Sequence, residues 1–128
     1  MNNLIVDATK DKIFLTLIVS RNIYTCSHEN SKINFERLMF LINDFLQTNK
    51  NTLDSVDTIY VNRGPGSFAG IRNSLATIKA LFMTKKIDYY CFSFEDFNQS
   101  YVSKYEDIPK LCKKFKIKKN LINPNYLS

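Results

Sequence analysis

The chain has 128 residues and a net charge of +6, with 45% hydrophobic residues, ten Phe and seven Tyr. That length and composition suit one folded domain and argue against intrinsic disorder. No apolar run approaches the ~18 residues that a membrane-crossing helix needs.

Taken in order, Leu4-Ile5-Val6 forms an apolar run that ends on Asp7, Ala8 and Thr9. A β-rich stretch from Ile13 to Val19 follows, and Asn22 to Cys26 makes a third short strand after a turn. Three strands with short joins predict an antiparallel meander. The chain opens on a strand pattern and carries no signal-peptide pattern. Cys26, Cys91 and Cys112 are odd in number and form no Cys-x-x-Cys pair, so they read as reduced core thiols of a cytoplasmic protein. His28 is the sole histidine, which excludes a multi-histidine metal site.

Residues 34–48 predict a helix with Asn34 as N-cap and Phe35, Leu38, Met39, Ile42, Phe45 and Leu46 on its apolar stripe. Phe40 projects from the opposite, polar face. Thr58-Ile59-Tyr60-Val61 predicts a buried strand, and residues 68–84 predict a second helix with Phe68, Ile71, Leu75, Ile78 and Phe82 on one side. Gly70, Asn73, Ala76, Thr77 and Ala80 form a small-residue face on the same helix, suited to close approach by another helix. Packing within the chain and packing against another chain both fit that face.

Between strand and helix lies Gly64-Pro65-Gly66-Ser67-Phe68-Ala69-Gly70-Ile71-Arg72, which holds all three glycines of the protein. Gly64 and Gly66 permit a sharp bend, and Ser67 is a helix N-cap candidate. Free N–H groups at such a helix start can receive an anion. A Walker A loop is excluded. It requires four residues between its glycines and then Lys-Ser or Lys-Thr, whereas three residues separate Gly66 from Gly70.

This nine-residue stretch resembles the signature of TsaB, the bacterial tRNA threonylcarbamoyladenosine biosynthesis family, with Ala69 where that family usually has Thr. Asp7 matches the acid that closes the family's first strand, although Ala8, Thr9 and Lys10 depart from the hydroxyl-rich residues usual after it. The resemblance implies a single RNase H-like lobe of the actin, sugar-kinase and heat-shock ATPase superfamily: an α/β fold with a mixed five-stranded sheet and packed helices. In that superfamily the strand-end acid faces nucleotide phosphates and metal. A residual phosphate or nucleotide contact would thus involve Asp7, Gly64, Gly66, Ser67 and Arg72.

Tyr89 to Phe94 predicts the fifth strand and Glu95 to Val102 a short helix. The resemblance then breaks, so residues 1–102 read as the lobe and 103–128 as a basic helix and tail replacing a second lobe. Pro124-Asn125-Tyr126-Leu127 resembles the family's usual ending. From Lys104 to Lys119 seven lysines face Glu106 and Asp107, so this stretch carries +5 and the remainder about +1. Such a run can touch tRNA phosphates. A solvated helix face is the simpler reading, because the whole chain is rich in residues with A- and T-rich codons.

The family resemblance implies a non-catalytic scaffold, without cofactor or metal, that supports a TsaD-like catalytic subunit in threonylcarbamoyl transfer to tRNA. A TsaE-like ATPase belongs to the wider assembly, and tRNA is engaged indirectly. Phe40, Gly70, Asn73, Ala76, Thr77 and Ala80 are the interface expected from it. A self-associating homodimer and a residual ATPase-like, phosphate-binding protein are the alternatives.

Overall fold

The computed structural model describes residues 1–97 and 104–126. Five strands, β1 (Asn2–Asp7), β2 (Lys12–Val19), β3 (Asn22–Glu29), β4 (Thr58–Asn62) and β5 (Asp88–Phe92), form one sheet in the order β3-β2-β1-β4-β5. β1, β2 and β3 are antiparallel, whereas β1, β4 and β5 run parallel. This is the mixed five-stranded sheet expected from the meander and from right-handed crossovers.

Side chains alternate across β1. Leu4 and Val6 enter the larger core with Leu15, Leu17, Ile59 and Val61, while Ile5 turns to the other side with Tyr60 and Phe92. Three helices cover the larger core: α1 (Lys32–Glu36), α2 (Leu38–Thr48) and α3 (Phe68–Lys85). They pack beside one another on that side of the sheet, α3 touching both α1 and α2. The short α4 (Ile108–Lys114) covers the second side through Ile108, Leu111 and Cys112.

Two helix expectations are corrected. The helix over 34–48 is broken at Arg37, whose φ of −103° and ψ of 14° end α1 and start α2. Ser31, not Asn34, is the N-cap: its hydroxyl accepts from the Asn34 amide, while the Asn34 side chain donates back to the Glu29 carbonyl. On α3, Phe68 leaves the apolar stripe and stands 57% exposed against the Tyr126 ring, and the buried face is Gly70, Ile71, Ser74, Leu75, Ile78 and Leu81. The expected 95–102 helix falls largely on 98–103, outside the described residues. Before it, Phe94–Asp96 forms a 3-10 turn capped by Ser93.

No glycine ends a helix. Lys50, Lys86 and Lys116 take left-handed backbone with φ of 59°, 59° and 55°, just past α2, α3 and α4. A lysine there bears a backbone strain that glycine would relieve, but its ammonium complements the partial negative charge of the helix end.

Candidate functional site

β1 ends in the middle of the sheet, where β4 runs alongside it, so Asp7 and Asn62 emerge at the same edge. The Asp7 carboxylate is fully buried and receives four donors. Oδ1 accepts from the Thr9 amide at 3.0 Å and the Thr9 hydroxyl at 2.7 Å. Oδ2 accepts from Asn62 Nδ2 at 3.1 Å and the Tyr105 hydroxyl at 2.6 Å. A carboxylate has about four lone-pair positions, and these four bonds occupy them. Burial, then the charge of Asp7, push the Tyr105 phenol well above its ordinary range, so the hydroxyl stays protonated and keeps donating.

The glycine bend packs onto this centre. Asn62 Oδ1 accepts from the Gly64 amide at 2.9 Å, and the Ser67 amide donates to the Thr9 carbonyl at 2.8 Å. Ser67 caps α3 as expected, its hydroxyl accepting from the Gly70 amide at 3.1 Å. A Cβ at Gly66 would lie 2.2 Å from the Thr9 carbonyl oxygen, and one at Gly64 2.0 Å from that of Asn125. One at Gly70 would lie 1.8 Å from the Ala8 carbonyl oxygen. The three glycines thus serve close approach to the turn after β1 and to the C-terminal tail.

Of the phosphate candidates, Asp7, Gly64 and Ser67 are drawn into this network. Arg72 lies exposed one turn into α3, its guanidinium 5.7 Å from the Phe68 ring centre. The Asp7 carboxylate has its acceptor positions taken within the chain, two of them by Asn62 and Tyr105. Among the described residues no group of three or more His, Cys, Asp or Glu could hold a metal ion, and no helix is long and apolar enough to cross a membrane. Sequence reasoning did not single out Thr9, Asn62 or Tyr105 as partners of Asp7, nor Arg63, which pairs with Asp96 at 2.7 Å.

The interface candidates divide. Gly70 is buried against Ala8 and Phe35, so it belongs to the internal packing of α3 and not to an outer face. Ala76 and Ala80 are exposed, and Phe40 is 55% exposed beneath the Arg37 guanidinium at 4.7 Å. Asn73 and Thr77 are half-buried and donate to carbonyls one turn back, Ala69 and Asn73, at 2.8 Å each. Both side-chain donors are thus turned back onto carbonyls of their own helix. Met83, 63% exposed, follows Ala76 and Ala80 along α3 at helical spacing. The small-residue pattern did not single it out.

Sheet order, helix placement and the acid at the end of β1 define an RNase H-like α/β lobe of the actin and sugar-kinase type. The family model described as TsaD, tRNA N6-adenosine threonylcarbamoyltransferase, matches residues 28–93, just over half of the chain, and the chain belongs to that family. The TsaB-like glycine bend falls inside the matched residues. Among solved structures, the chain is similar to YeaZ from Pseudomonas aeruginosa, with 22% identity and a TM-score of 0.66 over 72% of this chain and 43% of that one. A second structure, of an uncharacterized protein with similarity to peptidase YeaZ from Pseudomonas aeruginosa, gives the same values. The chain therefore spans less than half the length of the structures it resembles. No curated protein matches.

Proposed function

We propose that this chain is a non-catalytic subunit that pairs with a TsaD-like subunit through the outer faces of α2 and α3, and so supports threonylcarbamoyl transfer to tRNA. The observation that carries the reading is the set of exposed apolar and small residues on these two helices: Phe40, Ala76, Ala80 and Met83. Small residues let a second helix approach closely, and an aromatic at the centre of such a contact is a usual anchor. A TsaE-like ATPase would complete the assembly in the cytoplasm, with tRNA reached through the catalytic partner.

The closed environment of Asp7 supports a role without catalysis. Nucleotide hydrolysis needs an acid open to metal or phosphate and a site that excludes water around it, and here the carboxylate is consumed by Thr9, Asn62 and Tyr105.

Mixing the chain with a TsaD-like subunit and recording native mass spectra tests the pairing. A one-to-one heterodimer is expected. Ala76→Glu should abolish it, and Phe40→Ala should weaken it by ~1–3 kcal/mol. A homodimer that persists in the presence of the partner, or a heterodimer indifferent to both substitutions, overturns the reading. ATP turnover by the purified chain that disappears in Asp7→Ala would sink the non-catalytic assignment.

A further inference from the structure

The second side of the sheet is only partly covered. α4 is seven residues long, and beside it a cavity of ≈ 410 Å³ opens between β4, β5 and the end of the helix. That lies within the roughly 300–1,000 Å³ range of small-ligand sites. Tyr60 and Tyr90 line it with their rings stacked, 5.2 Å between centres and 9° between planes, Tyr60 buried in the second core and Tyr90 half-buried at its rim. Lys113 and Lys116 stand on its wall, which contains no acid among the described residues. A neighbouring cavity of ≈ 290 Å³ shares Lys116 and Ile117 and adds Lys118. The one acid lining it, Asp96, is already paired with Arg63 at 2.7 Å.

The lysines around these cavities belong to the run that carries +5 of the net +6. All seven from Lys104 to Lys119 are exposed. The residues that anchor α4, namely Ile108, Leu111 and Cys112, are buried inward, so the helix itself turns lysines and not an apolar stripe toward a bilayer, Met1 and Leu121 being the exposed apolar residues at the cavities. Lysines around a stacked aromatic pair are instead the combination that holds a nucleic-acid strand, the phosphates by charge and an unpaired base by stacking.

We propose that the α4 side of the sheet is a contact surface for single-stranded RNA, with backbone phosphates at Lys113, Lys116 and Lys118 and an unpaired base stacked on the half-buried Tyr90 ring, which the buried Tyr60 ring supports from behind. RNA follows from the tRNA named in the description of the family. The surface lies on the opposite side of the sheet from α2 and α3. The proposal thus goes beyond subunit pairing: it adds a direct RNA contact to the one made through the catalytic partner, and it is tested without that partner.

The test uses the full chain and a fluorescein-labelled twelve-nucleotide oligouridine, followed by anisotropy between low and physiological salt. A dissociation constant of about 10⁻⁴–10⁻⁶ M is expected, with affinity falling steeply as salt rises. Replacing Lys113, Lys116 and Lys118 together by Gln should weaken binding about tenfold or more and shrink the log–log salt slope by about two units, at ~0.7 per lost phosphate contact. Tyr90→Leu keeps bulk but removes the ring face. It should weaken oligouridine binding about fivefold or more while leaving binding of a blunt RNA duplex unchanged. Far-UV circular dichroism of each variant confirms that it is folded.

Absence of oligouridine binding at low salt overturns the proposal, as does binding that survives the triple lysine substitution. Vesicles of phosphatidylserine and phosphatidylcholine that capture the chain when the RNA does not would assign the surface to a membrane instead. An intact heterodimer without RNA binding would remove only this surface, and RNA binding without a heterodimer would remove only the pairing.

Discussion

Asp7 is held by groups from three separate parts of the chain, and each hydrogen bond to it has a measurable consequence. The Tyr105 hydroxyl donates to it at 2.6 Å. Tyr105→Phe removes the donor and leaves a buried carboxylate oxygen short of a partner, which should cost about 1–3 kcal/mol in urea unfolding. Titration gives a second reading. Burial, then neighbouring charge, raise the Cys26 thiol to about 11, and burial raises Cys91 to about 11 despite opposing contributions from Asn123 and Arg63. Burial, then Asp96 and Cys91, raise Cys112 to about 12. Tyr60 rises to about 12 and Tyr105 higher still. The folded state holds all these protons more tightly than the unfolded chain. Stability should therefore be complete below the ordinary thiol value of 9.0 and fall as pH climbs from about 9 through 12. Unfolding midpoints across that range check it, and Tyr105→Phe should flatten the part above the ordinary tyrosine value of 10.0. In the sequence, Asp7 stood out by its place at a strand end. Its partners did not, because Asn62 and Tyr105 lie 55 and 98 residues away and only the folded sheet brings them together.

At the scale of elements, the helix pair is the most legible part of the molecule and also shows where periodicity stops informing. Apolar spacing located α2 and α3 and the side of the sheet they share, because burial of a stripe is a local, repeating demand. The break at Arg37 has no such signature. Phe35 and Leu38 keep helical spacing across it, and the chain turns so that Phe35 can sit beside Gly70 on α3. Likewise, spacing places Gly70 on the small-residue face of α3, whereas the approach of the Ala8 carbonyl puts it inside. The two kinds of small residue on α3 should separate cleanly on substitution. Gly70→Ala puts a Cβ 1.8 Å from a backbone oxygen and should lower stability by ~1–3 kcal/mol or more. Ala76→Glu, on an exposed position, should leave the thermal midpoint of the isolated chain nearly unchanged. Helix ends offer a stabilising change. Lys86→Gly relieves a φ of 59° after α3 and should add several tenths to ~1 kcal/mol, read from urea midpoints.

For the whole molecule, the sheet separates two surfaces of different character. One carries α1, α2 and α3 with Phe40, Ala76 and Ala80 facing outward; the other carries α4, the lysines and the two cavities. The C-terminal segment joins them. Asn120 donates to the Tyr89 carbonyl at 2.7 Å and accepts from the Tyr89 amide at 2.9 Å, beside an isolated bridge from Lys119 to Tyr90. Farther on, the Asn125 amide donates to the Arg63 carbonyl at 2.7 Å, and Tyr126 packs on Phe68. The glycine bend and Asn125-Tyr126, from the two stretches that most resemble TsaB, are thus neighbours in space.

That docking gives the tail a dynamic signature. A loose extension would exchange its amide protons with solvent in seconds, whatever the rest of the chain did. Here the Asn120 and Asn125 amides are tied to β5 and to the residue just past β4, so they open only when those strands release them. In heavy water these two protons should exchange at rates close to that of the Arg63 amide, which donates to the Phe92 carbonyl at 2.7 Å. Deuterium uptake at Asn125 would then report, from the far end of the chain, whether the glycine bend is intact.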